Sequence, residues 1–145
     1  MFMYEALLRR AKSQSPIRVG LIGAGKFGSM FLAQVPSTPG LEVVAIADLF
    51  PDQARTTCAS IGWSKELIAQ TIFSEDAVEI MQRVELDVIV EATGDPIVGI
   101  THARHAIANR IHIVMVNVEA DVLAGSFLAQ EAEEAGVVYS MAYGD

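Results

Sequence analysis

Six residues near the start of the chain, Gly23-Ala24-Gly25-Lys26-Phe27-Gly28, have the spacing of a phosphate cradle. An apolar run at 17–22 precedes them and a helical pattern follows, so they read as the turn from a strand into a helix. Gly23 permits a tight turn out of the strand. Gly25 has no side chain to keep a pyrophosphate from the backbone, and Gly28 lets the helix pack closely on the sheet. The start of that helix, where Lys26 and Phe27 lie, offers free N–H groups and a partial positive charge to a pyrophosphate. Asp48 closes the next strand pattern about 20 residues beyond Gly28, the spacing of the dinucleotide fingerprint. A carboxylate there can accept hydrogen bonds from both hydroxyls of an adenosine ribose. The set predicts a site for NAD or NADP. Asp48 would repel a 2′-phosphate, which leans the expectation to NAD, while Arg55 or Lys26 could still help to hold a phosphate.

Such a site needs strand ends gathered along one edge. Apolar strand patterns occur at 17–22, 41–47, 86–92, 111–116 and 137–142, and TIF at 71–73 reads as a short third strand. Between them fall helical patterns at 26–35, 51–60, 77–83, 96–109 and 121–135. Pro51 suits a first helical turn. Ser74 is the expected N-cap of the 77–83 helix, with Glu75 and Asp76 favouring its first turn. Gly136 is the expected C-cap of the last helix. Strand–helix repetition of this kind predicts an α/β fold: a Rossmann-type doubly wound parallel sheet of about six strands with helices on both faces. Residues 1–14 read as a separate amphipathic helix, with Tyr4, Leu7, Leu8 and Ala11 on one stripe. That stripe packs on the domain's own flank or meets a second copy. Residues 15–145 form one dinucleotide-binding domain.

In a doubly wound sheet, ligands lie beyond the carboxyl ends of the strands. Besides the glycine turn, two loops end there: Glu91-Ala92-Thr93-Gly94-Asp95-Pro96 and Asn117-Val118-Glu119-Ala120-Asp121. Together with the glycine turn, EATGDP and IVMVNVEADVLAG make the chain resemble the cofactor domain of homoserine-dehydrogenase-type oxidoreductases. The likeness is greater to the group that carries a C-terminal SAF domain, which includes deoxyxylulose-phosphate-reductoisomerase-like enzymes. It runs from about Ile17 to the end. The resemblance implies an NAD(P)-dependent oxidoreductase acting on a small polar or phosphorylated metabolite. Thr93 and Gly94 would line the nicotinamide ribose, and Asn117 would sit near the nicotinamide. Homoserine dehydrogenases typically place a lysine directly after that asparagine. Val118 stands there instead, and an aliphatic chain cannot donate to a substrate hydroxyl or carbonyl. The resemblance also implies a substrate and dimerisation region after the cofactor domain, which these 145 residues do not include, so the chain alone is expected to be catalytically incomplete. A nucleotide-sensing regulatory module without catalysis is the alternative, because such modules share the glycine turn and the acidic residue.

The catalytic residues are left unassigned by this reading. Glu91 is either a carboxylate in the cofactor crevice or a strand-end carboxylate bonded to nearby backbone N–H groups. Glu119 and Asp121 at a helix start cap that helix and complement its dipole, or else meet substrate. His102 and His105, one turn apart on a helix, could hold a metal only with a third ligand, and none is evident; they read as members of a solvated face, and no metal site is expected. His112 at a strand start reads as structural. Cys58 has no basic neighbour and reads as an inert thiol. Trp63 reads equally as core or anchor.

Composition narrows the partners. The chain is 52% hydrophobic and 19% charged, with a net charge of −8. Its mean hydropathy is +0.37, which fits buried central strands and argues against disorder. The acidic balance weighs against nucleic acid or an anionic membrane as partner. No apolar run reaches the roughly 18 residues of a membrane span. One cysteine rules out an internal disulfide framework, so a reducing compartment, the cytoplasm, is the expected location. A small-molecule substrate is the expected partner. The sheet edge beyond the sixth strand favours cover by another segment or pairing in a homo-oligomer.

Overall fold

The computed structural model describes residues 2–142; Met1 of the expected first helix and residues 143–145 of the expected domain lie outside them. The described chain opens with α1 (Phe2–Lys12), β1 (Ile17–Ile22), α2 (Lys26–Gln34) and β2 (Leu41–Ala47). Next come α3 (Pro51–Ser60), α4 (Lys65–Gln70), β3 (Ile72–Ser74) and α5 (Ala77–Arg83). It ends with β4 (Val88–Glu91), α6 (Pro96–Ala108), β5 (His112–Met115), α7 (Val118–Ala135) and β6 (Tyr139–Met141). The six strands form one sheet in the order β3-β2-β1-β4-β5-β6, and every neighbouring pair is parallel.

The order reverses beside β1, because the chain crosses from β3 to β4 over the sheet. One apolar core holds Leu21, Leu32, Ile46, Ala54 and Cys58 on the face covered by α2 and α3. The other holds Ile89, Ile113, Ala77, Ala106 and Leu128 on the face covered by α5, α6 and α7. Strands buried on both faces explain the nearly continuous apolar runs of the sequence. Trp63 belongs to the first core, and its indole N–H donates to the Leu32 carbonyl at 2.7 Å.

Three local expectations change. Ser74 ends β3 and does not cap α5. The cap is Asp76, whose carboxylate accepts from the Glu79 N–H at 3.0 Å, while the Ser74 hydroxyl accepts from the Asp76 N–H at 3.0 Å. A carboxylate three residues before the accepted N–H reaches the first helical turn; Ser74 is two residues too early. The last long helix starts at Val118, not at residue 121. Its cap is Asn117, so Glu119 and Asp121 fall in the first turn, where they complement the dipole without capping. The short helix α4 has no counterpart in the expected elements; Ser64 caps it by accepting from the Leu67 N–H at 3.1 Å. Gly136 does cap α7, in the left-handed conformation.

Helix α1 covers the sheet's flank only thinly. Leu7 and Leu8 are half-buried and the Leu7 backbone rests on Gly40. Phe2, Met3 and Tyr4 stand exposed, as does Ala11, so of the expected stripe only Leu7 and Leu8 are even half-buried.

Cys58 is sealed in the core, and burial pushes its thiol up from the ordinary 9.0 to about 11. A folded thiol that resists ionisation lowers stability once the unfolded chain begins to release that proton. Folding free energy should therefore be insensitive to Cys58 below about pH 9 and fall by about 2 kcal/mol as pH rises towards 11. Urea unfolding across that range checks this, with Cys58→Ala flattening the decline. Tyr139 acts in the same direction at higher pH: burial, then its hydrogen bond to Asp121 and that carboxylate's charge, raise the phenol well above its ordinary range.

Candidate functional site

The carboxyl ends of β1, β2 and β4 open onto a cleft of about 440 Å³. Gly23, Gly25, Asp48, Leu49, Phe50, Glu75, Ala77, Thr93, Asp95, Val98 and His102 reach it from four loops and two helices. The cleft lies at the reversal of strand order, where β1 parts its two neighbours.

The glycine turn is built as its spacing requires. Gly23 sits at φ +93°, and a Cβ there would lie 2.8 Å from the Ala92 carbonyl oxygen. That contact ties the first cleft loop to the loop after β4. At Gly28 a Cβ would lie 2.3 Å from the Gly23 carbonyl oxygen, so only glycine lets α2 start this close to β1. A Cβ on Gly25 would meet nothing within 4 Å. The open space lies on the cleft side, and the helix that starts at Lys26 has no side-chain cap at its N-terminus. Free N–H groups therefore face an uncovered backbone, the arrangement that an anionic diphosphate fits. Lys26 and Phe27 are exposed beside it.

Asp48 has a structural duty within the cleft. One carboxylate oxygen accepts from the Ala24 N–H at 2.9 Å and the other from the Phe50 N–H at 2.8 Å. The residue thus pins the glycine turn to the loop after β2. Each oxygen retains a second lone pair for a ligand hydroxyl. Arg55 is turned elsewhere, paired with Asp52 at 2.6 Å and stacked over the Phe73 ring.

Beyond β4, Glu91 is fully buried. Its Oε1 accepts from the Thr93 N–H at 2.8 Å and from the Thr93 hydroxyl at 2.6 Å. Its Oε2 is bonded to Nδ1 of His102. Glu91 is thus the strand-end carboxylate bonded to backbone; it does not itself line the cleft, whereas its partners Thr93 and His102 do. The expectation of a solvated His102 is corrected. The ring turns inward from α6 onto Glu91 and lines the cleft, while His105 lies in the last turn of the same helix. A pairing between residues eleven apart, across a strand end and a loop, leaves no trace in helical spacing. The signal that was available is the acid at the end of an otherwise apolar strand, since a buried carboxylate needs a partner. Among the described residues no three metal-ligating side chains come together.

Thr93 and Gly94 are both exposed, and of the two Thr93 lines the cleft. Asn117 is set back from it and 3% exposed. Its carboxamide N–H donates to the Asp95 carbonyl at 2.7 Å, and its oxygen accepts from the Ala120 N–H at 3.1 Å. Both ends of this side chain serve the protein, joining the β4–α6 loop to the start of α7. Val118 is half exposed at the first position of that helix. Asp121 accepts from the Tyr139 hydroxyl at 2.7 Å, and Glu119 stays at the surface. His112 accepts from the Val138 N–H at 2.9 Å, a structural role.

No match to a curated protein was found. Among solved structures, a homoserine dehydrogenase from Thiobacillus denitrificans is similar with a TM-score of 0.73 and 22% identity, over 87% of this chain and 29% of that one. A homoserine dehydrogenase from S. aureus gives 0.67 and 21% identity, over 88% and 32%. A myo-inositol dehydrogenase from Lactobacillus casei, solved with NAD(H) and myo-inositol, gives 0.71 and 16% identity, over 87% and 36%. The chain spans about a third of the length of these proteins, and at such identity the likeness is one of fold. The family model described as homoserine dehydrogenase, NAD binding domain, matches residues 23–141, from the first glycine of the turn to the end of β6. Because that match covers most of the sequence, the chain belongs to the family of homoserine dehydrogenase NAD-binding domains.

Proposed function

We propose that the cleft holds NAD with its pyrophosphate over Gly25, and that the chain is the cofactor half of an oxidoreductase. The reaction is hydride transfer to or from a small polar or phosphorylated metabolite. The observation that carries this reading is the braced turn: Asp48 holds Ala24 and Phe50 while the backbone at Gly25 stays uncovered. A ribose bonded to Asp48 would lead its pyrophosphate onto the N-terminus of α2, beside Lys26 and Phe27, with Gly23 and Gly28 keeping the turn in shape. Thr93 and Gly94 would border the nicotinamide ribose, and Asn117 would support that half by fixing the Asp95 carbonyl. Bound NAD supplies the hydride acceptor or donor; the chain's own part is to bind and orient it. Asp48 favours NAD over NADP, because its carboxylate repels a 2′-phosphate and Arg55 is occupied by Asp52.

The substrate proposed is not homoserine. Val118, where homoserine dehydrogenases typically carry lysine, can neither donate a hydrogen bond nor transfer a proton. The residues that contact substrate are proposed to come from a further region, which the greater length of the similar solved chains supports.

Asp48→Ala should raise the dissociation constant for NADH by about 10- to 100-fold, the loss expected for hydrogen bonds to a charged acceptor. Calorimetric titration of the wild type and the variant with NADH and NADPH is the test. Tighter binding of NADPH by the wild type would overturn the role given to Asp48, and no binding of either by a folded sample would overturn the function.

A further inference from the structure

His102 has one nitrogen committed and one free. Nδ1 is held by Glu91, itself fully buried and bonded twice to Thr93. Nε2 has no hydrogen-bond partner among the described residues, and no side-chain nitrogen or oxygen there is both sealed from solvent and unpartnered. The ring, 14% exposed, therefore meets open space through Nε2, and the space it lines is the cleft together with the small recess beside it that Asp76 and Val78 also border. A neutral imidazole that donates from Nδ1 to a carboxylate is an acceptor at Nε2. The walls beside it are apolar: Leu49, Phe50, Ala77 and Val98. Such a slot suits a flat aromatic ring, and Asp48, on the same cleft, marks where the ribose attached to that ring would lie.

Resting on the dinucleotide reading above, we propose that His102 reads the purine edge of the cofactor, its Nε2 accepting a hydrogen bond from the exocyclic amine of adenine. The site thereby selects adenine over hypoxanthine. At the same edge hypoxanthine presents a carbonyl oxygen, and two acceptors facing each other repel. A site built around an acceptor rejects the analogue that lacks the donor, because its polar group is then left unpaired. Glu91 is the positioning residue, since its bond to Nδ1 sets the tautomer that makes Nε2 an acceptor.

The test measures dissociation constants of the 145-residue chain for NADH and for reduced nicotinamide hypoxanthine dinucleotide. The wild type should bind NADH about tenfold tighter near neutral pH, the worth of one hydrogen bond plus an avoided unpaired acceptor. The double variant Glu91→Gln/His102→Phe removes the buried charge together with the ring nitrogens and should bring the ratio to about one. If it does not fold, the wild-type ratio decides alone. Equal affinities in a wild type that binds NADH, or a ratio unchanged in the folded double variant, would each overturn the base-reading role. A folded wild type that binds neither dinucleotide would overturn the cofactor reading and this role with it.

Discussion

Gly28→Ala should lower the thermal midpoint by about 10 °C, whereas Gly25→Ala should leave it nearly unchanged and remove NADH binding. The two glycines lie three residues apart in one motif, yet the surroundings of their missing side chains are opposite. At Gly28 a Cβ falls 2.3 Å from the carbonyl oxygen of Gly23. That neighbour is backbone and cannot swing aside, so α2 must shift off β1 and loosen the contacts of Leu21 and Leu32. Overpacking of this kind costs about 3 kcal/mol, which for a domain of this size is about 10 °C. At Gly25 the backbone is extended, with φ −75° and ψ −151°, and a Cβ meets nothing within 4 Å. Alanine there changes stability by less than about 1 kcal/mol. Its methyl group nevertheless stands where a diphosphate must approach the N–H groups of α2, and affinity should drop at least about 100-fold. Scanning fluorimetry and calorimetric titration separate the two effects. Retained affinity in Gly25→Ala would remove the turn from the ligand site.

Glu91→Ala should destabilise the fold by about 3–5 kcal/mol, more than the loss of any single hydrogen bond. The carboxylate is fully buried and takes three donors: the Thr93 N–H, the Thr93 hydroxyl and the His102 ring. Alanine leaves all three facing an apolar hole. Glu91→Gln keeps an acceptor for Thr93 and should cost only about 1 kcal/mol. Urea denaturation of both variants is the check, and equal stability of Glu91→Ala and the wild type would show that the cluster does not support the fold.

The backbone of this fold was legible because its signals are local. Strands buried on both faces leave runs such as 41–47, and the glycine turn and Gly136 sit at chain positions that declare their geometry. What escaped notice depends on pairs distant in sequence. His102 looks like one of two histidines on a helix until β4 delivers Glu91 beneath it. Asp48 was readable as a ribose acceptor but not as the brace of Ala24, because that bond spans 24 residues. Asn117 showed itself as a loop residue, while its partner, the Asp95 carbonyl, arrives from another strand end. Ser74 and Asp76 compete for one cap within three residues, a choice settled by where β3 ends. The three-turn amphipathic stripe of α1 predicted burial, yet only Leu7 and Leu8 find anything to cover.

The placement of β1 at the centre of the sheet sets a schedule for synthesis. Val19 pairs with Val43 on one side and with Val88 on the other. At roughly 5–20 residues per second, a ribosome delivers the first partner within seconds and the second some 2–9 seconds later. During that interval β1 and β2 can join, and the Asp48 brace on Ala24 can close. The other edge of β1 stays unpaired, and the Ala92 carbonyl against which Gly23 is moulded has not yet been made. The nascent chain therefore carries an open parallel edge of mostly apolar residues until β4 arrives, and half of the cleft exists before the rest. Slow translation between residues 47 and 88 would prolong exposure of that edge to chaperones and to other nascent copies.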